Sequence, residues 1–132
     1  MSFVDDVKKL NLPAGAYAVF GSGPMVVRGI RESRDIDIVV TPQLFDELGK
    51  NPAWAKDQIR DHHPVLRKGN VEIFKTWAPD SWDIEGLIRD AEMFDGVPFV
   101  KLDAVIEWKT LRNEQKDKED IALIESYRKA HA

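Results

Sequence analysis

The chain has 132 residues with 43% hydrophobic and 32% charged residues, a balance that fits one globular domain, and no repeat or linker divides residues 1–132. Its formal net charge of -4 argues against an extensive nucleic-acid surface, and no apolar stretch is long enough to span a bilayer. The sequence has no cysteine and no basic N-terminal segment leading into an apolar run, so we expect a cytoplasmic protein without disulfides, thiolate zinc sites or a membrane partner.

Hydrophobic spacing predicts short helices and strands in alternation through the first half of the chain. Pro24 and Pro42 suit the first position of a helix, and Thr41 is a good cap for the second of these helices. The predicted elements are, in chain order, a helix over 4–10, a buried strand over 16–20, a helix over 24–30, a strand over 35–41 and a helix over 42–48.

The second half begins with an ambiguous segment, 51–61, for which a short helix is the structure left open. Gly69-Asn70 is a turn signal between two apolar runs and favours a hairpin, and Asp95-Gly96 favours a second, tighter one. The predicted elements are a hairpin of 63–66 with 71–77, a helix over 82–91, a hairpin over 94–100 and closing helices over 102–113 and 116–129.

The turn after the first strand is a candidate phosphate site. Gly21-Ser22 lies where a strand gives way to a helix, and the unpaired N–H groups at a helix start attract anions. Glycine allows a phosphate to approach the backbone, and the serine hydroxyl adds a hydrogen bond. Many such turns contain glycine for steric reasons alone, so this interpretation stays open as well.

Two further motifs supply carboxylates. Asp35 and Asp37 alternate with isoleucines on a strand and therefore point to the same face, where a divalent cation would relieve their repulsion. Oxygen ligands of this kind suit Mg2+ or Mn2+ rather than zinc. Glu72, between Val71 and Ile73, completes a three-acid cluster if its strand lies beside the first. The alternative is that these acids are only the solvated face of a sheet.

Lys109 shares the apolar face of its predicted helix, one turn before Arg112. An inward-leaning lysine needs an anion, which Asp117, Asp120 or a nucleotide phosphate could provide. A lysine stem that only covers the edge of the core is the alternative. We interpret His62-His63 as a surface or turn pair. The tryptophans, with Trp77 and Trp82 on either side of a Pro79-Asp80 turn, are assigned to core packing or a lid.

The order of these motifs resembles a known signature. Gly21-Ser22, then twelve residues, then Asp35-Ile36-Asp37-Ile38, is similar to the pattern of the nucleotidyltransferase superfamily, which includes DNA polymerase beta. Glu72 matches the third acid of that family. Arg31-Glu32-Ser33-Arg34-Asp35 is similar to the Arg-x-Thr/Ser-x-Asp approach of many bacterial members. The segment from Phe94 to Asp120 is similar to the closing segment of small bacterial members of the superfamily.

The resemblance implies an α+β fold with a nucleotidyltransferase-like mixed β-sheet and helices packed beside it. It implies transfer of a nucleoside monophosphate from a nucleoside triphosphate to an acceptor, with release of pyrophosphate and with two Mg2+ ions, for which Mn2+ can substitute. Asp35, Asp37 and Glu72 would be the catalytic and metal-binding residues. The nucleotide-binding residues would be Gly21, Ser22, Arg31, Ser33 and Lys109.

Two departures from the family pattern leave alternatives. Gly23-Pro24 is stiffer than the usual small residues at that place. The chain also shows no second domain for the acceptor, so we expect a homodimer partner or a small helical partner protein to supply that surface. The second hypothesis is therefore an antitoxin-like or non-catalytic nucleotide-binding module of a two-chain system, and the third is a degenerate structural domain.

Overall fold

A computed structural model describes residues 2–59, 62–79 and 82–132. Its elements in the first half are α1 (Phe3–Lys8), β1 (Tyr17–Phe20), α2 (Gly23–Val27), β2 (Ile36–Val40), α3 (Pro42–Gly49) and β3 (Ala55–Ile59). Those in the second half are β4 (His63–Lys68), β5 (Val71–Phe74), α4 (Ile84–Arg89), β6 (Glu92–Phe94), β7 (Val97–Phe99), α5 (Leu102–Arg112) and α6 (Gln115–Ala130). Among the described residues, no helix combines the length and hydrophobicity needed to cross a membrane.

The strands form one mixed sheet in the described parts of the chain, in the order β3-β4-β5-β2-β1-β7-β6. β2 lies at the centre, antiparallel to β1 and parallel to β5. The two predicted hairpins are present as β4–β5 and β6–β7, both antiparallel. This arrangement is an α+β fold and confirms the predicted fold class.

Both faces of the sheet are covered. On one face, Ile36, Ile38 and Val40 of β2 pack in a cluster that includes residues of α1 and α3. On the other, Val39 packs in a cluster with residues of α4, α5 and α6. Strand residues alternate between the faces, so Asp37 and Glu72 lie on the second face, with α5 and α6.

The prediction for 51–61 is wrong, because residues 55–59 form the strand β3 rather than a helix. β3 is an edge strand whose first four residues are exposed, so it lacks the apolar alternation that marks a strand in sequence. It is held by antiparallel pairing with β4. Arg60 and Asp61, the end of the predicted segment, lie outside the described residues, as does Asp80 of the Pro79-Asp80 turn.

Several helix boundaries also differ from the prediction by one to three residues, and two of them have a clear local cause. α2 ends at Val27 rather than at residue 30, because Gly29 follows with a positive φ of 74° that no helix continues. α4 begins at Ile84 rather than at residue 82, because Asp83 is its N-cap and accepts a hydrogen bond of 3.0 Å from the Gly86 N–H.

Candidate functional site

The register of the central strands brings the predicted acids together. Asp37 of β2 lies directly opposite Glu72 of β5, and on its other side it lies opposite Phe20, the last residue of β1. Asp35 is exposed and immediately precedes β2. The predicted adjacency of the two strands is therefore confirmed, and it places Asp37 between the glycine turn and Glu72.

Hydrogen bonds from the preceding loop and from the β4–β5 turn hold the start of β2, next to Asp35, in position. The Ser33 hydroxyl accepts a hydrogen bond of 3.3 Å from the Asp35 N–H. In the turn, the Asn70 side-chain NH2 donates a hydrogen bond to the Arg34 backbone carbonyl, and the Asn70 backbone carbonyl accepts one of 3.0 Å from the Ile36 N–H. Ser33 and Asn70 thus fix the direction in which the chain enters β2.

Gly21 is required by the Asp37 carboxylate. Gly21 has a φ of 59°, and a Cβ built on it would lie 2.3 Å from Oδ2 of Asp37. Gly21 therefore allows the backbone to pack directly against the carboxylate. Gly23 is a packing residue instead, since its Cβ would lie 2.3 Å from Cγ1 of Val19.

Ser22 follows Gly21 at the start of α2. It occupies the N-cap position, but within the described part of the chain its side chain makes no capping hydrogen bond. α2 has only five residues, so its dipole is small, and the predicted attraction of anions to this turn depends on Ser22 and the surrounding cations.

Asp37 has an unusual proton affinity. Burial raises its pKa from 3.8 to about 7, helped by the negative charges of Glu72 and Asp35 and by a hydrogen bond with Glu72, while Arg112 lowers it. A carboxyl group with such a pKa holds a proton in competition with any cation near neutral pH. The cluster therefore carries the charge repulsion that was expected of neighbouring carboxylates.

Glu72 has a cationic partner that the sequence did not suggest. The Arg67 Nε donates to Oε2 of Glu72 at 2.5 Å, and the same guanidinium pairs with Asp57 on β3. Within the described residues, no group of three or more Asp, Glu, His or Cys side chains is arranged to hold a metal ion. The carboxylates of Asp35, Asp37 and Glu72 suit a cation that prefers oxygen ligands, but in this structure they are not arranged as a three-ligand metal site.

A network of charges from α5 and α6 faces the acids. Lys109 is 2% exposed and its Nζ lies 2.9 Å from Oδ2 of Asp120 and 3.6 Å from Oδ1 of Asp117. Arg31 donates to the same Asp120 oxygen at 2.9 Å. Arg112 makes two hydrogen bonds to Asp117. Of the anions considered for Lys109, the structure provides Asp117 and Asp120.

Acids and cations together enclose a cleft of about 340 Å3. Larger hollows exist elsewhere, but this one is distinguished from them by Asp35, Asp37 and Glu72 in its lining. Seven of the eight residues predicted for the site line it, and they are Ser22, Arg31, Ser33, Asp35, Asp37, Glu72 and Lys109. Gly21 does not line the cleft and acts through its contact with Asp37.

Several cleft residues had no predicted role at the site. His63, interpreted as a surface or turn residue, lines the cleft and bonds Thr76 at 2.6 Å. Arg112 and Lys116 also line it. The signal for Arg112 was its helical spacing from Lys109. His63 and Lys116 carried no signal, because a polar side chain at the start of a strand or a helix has the same local sequence whether or not a cleft lies beside it.

The aromatic wall is formed by Trp77 and Trp108. Trp77 stacks on Phe20 with a ring distance of 4.5 Å and meets Trp108 edge-on at 5.2 Å. Trp77 is 6% exposed, so of the two roles predicted for it, core packing or a lid, core packing is confirmed. The Lys109 ammonium and the Arg112 guanidinium each lie 4.5 Å from the Trp108 ring centre, which places a cationic layer over the aromatic one.

The sheet order and the helices that cover both faces of the sheet define an α+β architecture. The structure is similar to the crystal structure of ANT(2")-Ia in complex with adenylyl-2"-tobramycin, with a TM-score of 0.50 and 15% sequence identity over 98% of this chain and 94% of that chain. At this identity the likeness shows the fold alone. No family model matches the sequence, and no curated protein matches it.

Proposed function

We propose that this protein is a metal-dependent nucleotidyltransferase, which moves a nucleoside monophosphate from a nucleoside triphosphate to an acceptor and releases pyrophosphate. The observation that carries the proposal is that Asp35, Asp37 and Glu72 share one cleft with cationic side chains from α5, α6 and the loop before β2. The fold likeness to ANT(2")-Ia, a nucleotidyltransferase, supports the same general kind of transfer.

The donor set fits Mg2+, or Mn2+ in its place, because all three side chains offer carboxylate oxygens. The negative charges of Glu72 and Asp35 help to raise the pKa of Asp37, and a bound divalent cation would relieve this electrostatic repulsion. A cation held by Asp35, Asp37 and Glu72 would supply charge neutralisation at the transferred phosphoryl group.

The remaining cleft residues bind and orient the triphosphate. The Ser22 hydroxyl, which does not cap α2, is available to donate to a phosphate oxygen. Arg31 and Lys116 contribute positive charge at the cleft. Lys109 holds Asp120, which in turn holds Arg31, so this buried lysine keeps the cationic side of the cleft in place. Orientation and charge supply most of the rate in phosphoryl transfer.

Calorimetric titration of ATP in the presence of Mg2+ tests the proposal. An Asp35→Asn, Asp37→Asn double variant is expected to lose at least about tenfold in affinity, because it removes two anionic ligands. The matched control is Asp46→Asn with Glu47→Gln, two exposed acids of α3 that give the same change in net charge. Parent-like affinity in the Asp35/Asp37 variant would show that the site is assigned wrongly.

A second candidate is a nucleotide-binding module without catalysis, the partner half of a two-chain system. It is favoured by one observation: Glu72 is paired with Arg67, and the acids are not arranged as a ready metal group within the described residues. The two candidates differ in the release of pyrophosphate from a labelled triphosphate. Binding of nucleotide without any release, across a panel of acceptors, supports the module, whereas release supports the enzyme.

A further inference from the structure

Four charged residues lie in a row across four neighbouring strands. Glu72 on β5 is directly opposite Asp37 on one side and directly opposite Arg67 on the other. Asp57 on β3 lies diagonally to Arg67, two residues from Ala55, which is directly opposite it. The order across the sheet is therefore acid, cation, acid, acid, and Glu72 lies between Arg67 and Asp37, another of the proposed cation ligands.

Arg67 is shared by two acids. Its Nε donates to Glu72, and its terminal Nη1 pairs with Asp57. The side chains of Arg67 and Glu72 are 36% and 32% exposed, and that of Asp57 is 57% exposed. Because these groups are partly solvated, either ion pair can be exchanged at modest cost. The guanidinium keeps one anionic partner if the other is withdrawn.

We propose that Arg67 competes with a divalent cation for the Glu72 carboxylate, and that Asp57 retains the guanidinium when Glu72 is released. This inference rests on the proposed function in one respect, that a cation binds at Asp35, Asp37 and Glu72. It makes Arg67 a positioning residue that sets the strength of cation binding. It also accounts for the absence of a ready three-acid metal group among the described residues.

If Arg67 competes with the cation, its removal changes the cation affinity in the opposite direction from the removal of a residue that supports a metal ligand. A residue that orients a ligand toward its metal weakens metal binding when it is removed. Removal of Arg67 is instead expected to strengthen cation binding, because Oε2 of Glu72 loses its present partner. Removal of Asp57 is expected to weaken cation binding, because Glu72 is then the one of these two acids that still pairs with Arg67.

The test is titration of the purified protein with Mn2+ alone at pH 8, with free Mn2+ followed by electron paramagnetic resonance. Arg67→Gln is expected to lower the Kd about fivefold and Asp57→Asn to raise it about twofold, the range of a partly exposed ion pair. Lys68→Gln is the matched control. It removes one positive charge from the adjacent position of β4, where Lys68 lies over Trp54 and away from Glu72.

A variant background separates competition from a general charge effect. In Glu72→Gln protein, Arg67→Gln is expected to change the Kd by less than about twofold, because the contested carboxylate is gone. A full fivefold effect in that background overturns the inference. A parent Kd that is unchanged or raised by Arg67→Gln overturns it too and leaves the proposed function standing. A parent protein that binds no Mn2+ overturns both.

Discussion

Asp37 combines burial with two acidic neighbours, and its proton affinity links protein stability to pH. Its pKa of about 7 in the folded protein is above its ordinary value of 3.8, chiefly because of burial. The folded state therefore binds the proton more tightly than the unfolded state. The stability gained from protonation is complete below pH 3.8 and is lost as the pH rises to about 7.

Asp37→Asn is therefore expected to stabilise the protein in metal-free buffer at pH 8 by about 1–3 kcal/mol. The neutral amide avoids the burial of a charge beside Glu72 and Asp35, and the gain should fade toward pH 4. Urea unfolding of the parent and the variant at both pH values measures it. Asp46→Asn, an exposed position on α3, is the control and should show no such gain. A variant less stable than the parent at pH 8 would contradict the account.

Gly21 is the second residue whose environment makes a specific prediction. Gly21→Ala is expected to destabilise the protein by about 1–3 kcal/mol, since it combines a positive φ with a contact against the Asp37 carboxylate. It should also weaken cation binding, because the carboxylate must move.

Gly29→Ala provides the comparison for Gly21→Ala. Gly29 also has a positive φ, 74°, but a Cβ added there would meet nothing within 4 Å. It should share the loss in stability from backbone strain and leave cation binding unchanged. Equal effects of the two substitutions on Mn2+ affinity would mean that Gly21 does not act through Asp37.

Among the elements, α5 and α6 are joined by charges as well as by apolar packing. Asp117 is fully buried, which by itself raises its pKa, but hydrogen bonds from Arg112 and the Glu114 N–H, together with the charges of Arg112 and Lys109, lower the pKa to about 2. It also accepts a bond of 3.0 Å from the Glu114 N–H at the start of α6. The stability from this group is present above its ordinary pKa of 3.8 and is lost as the pH falls toward 2.

Asp117→Ala is expected to lower the free energy of unfolding by about 3–5 kcal/mol, because Arg112 and the buried Lys109 each lose a partner. Asp103→Ala is the control. It removes the exposed partner of Arg128, whose loss should cost less than about 1 kcal/mol. Thermal unfolding at neutral pH measures both variants. Similar losses for the two would show that the α5–α6 network is not a buried unit.

The sequence allowed the central elements to be predicted because local signals agreed with the tertiary structure. β1 and β2 are apolar runs at the centre of the sheet, and α3 has both Thr41 and Pro42 at its start. β3 was not predicted, because this exposed edge strand has no hydrophobic pattern in its local sequence. Its position is set by pairing with β4, which no local window contains.

At the site, types of residue were predictable and their pairings were not. The Asp-x-Asp pattern predicted that Asp35 and Asp37 share a face, and the order of motifs pointed to Glu72. The ion pair of Glu72 with Arg67 depends on the register of β4 and β5. Likewise, Lys109 had several candidate anions in sequence, and only the packing of α6 on α5 selects Asp117 and Asp120.

For the molecule as a whole, the sheet brings several neighbouring strands, the loop before β2 and two helices to the same cleft. Acids lie on the strands β2 and β5, and cations lie on α5, on α6 and in the loop before β2. Side chains of both charges thus line one space of about 340 Å3 that also has an aromatic wall. A magnesium–triphosphate complex, which presents a cation to acids and phosphates to cations, has the charge pattern that such a cleft complements.

The most direct test of this account is a crystal structure of the protein soaked with Mn2+ and a non-hydrolysable nucleoside triphosphate. Anomalous scattering from manganese is expected between the carboxylates of Asp35, Asp37 and Glu72, with the phosphates beside Ser22, Arg31 and Lys116. Manganese bound away from these three acids, or a triphosphate bound outside the cleft, would contradict it.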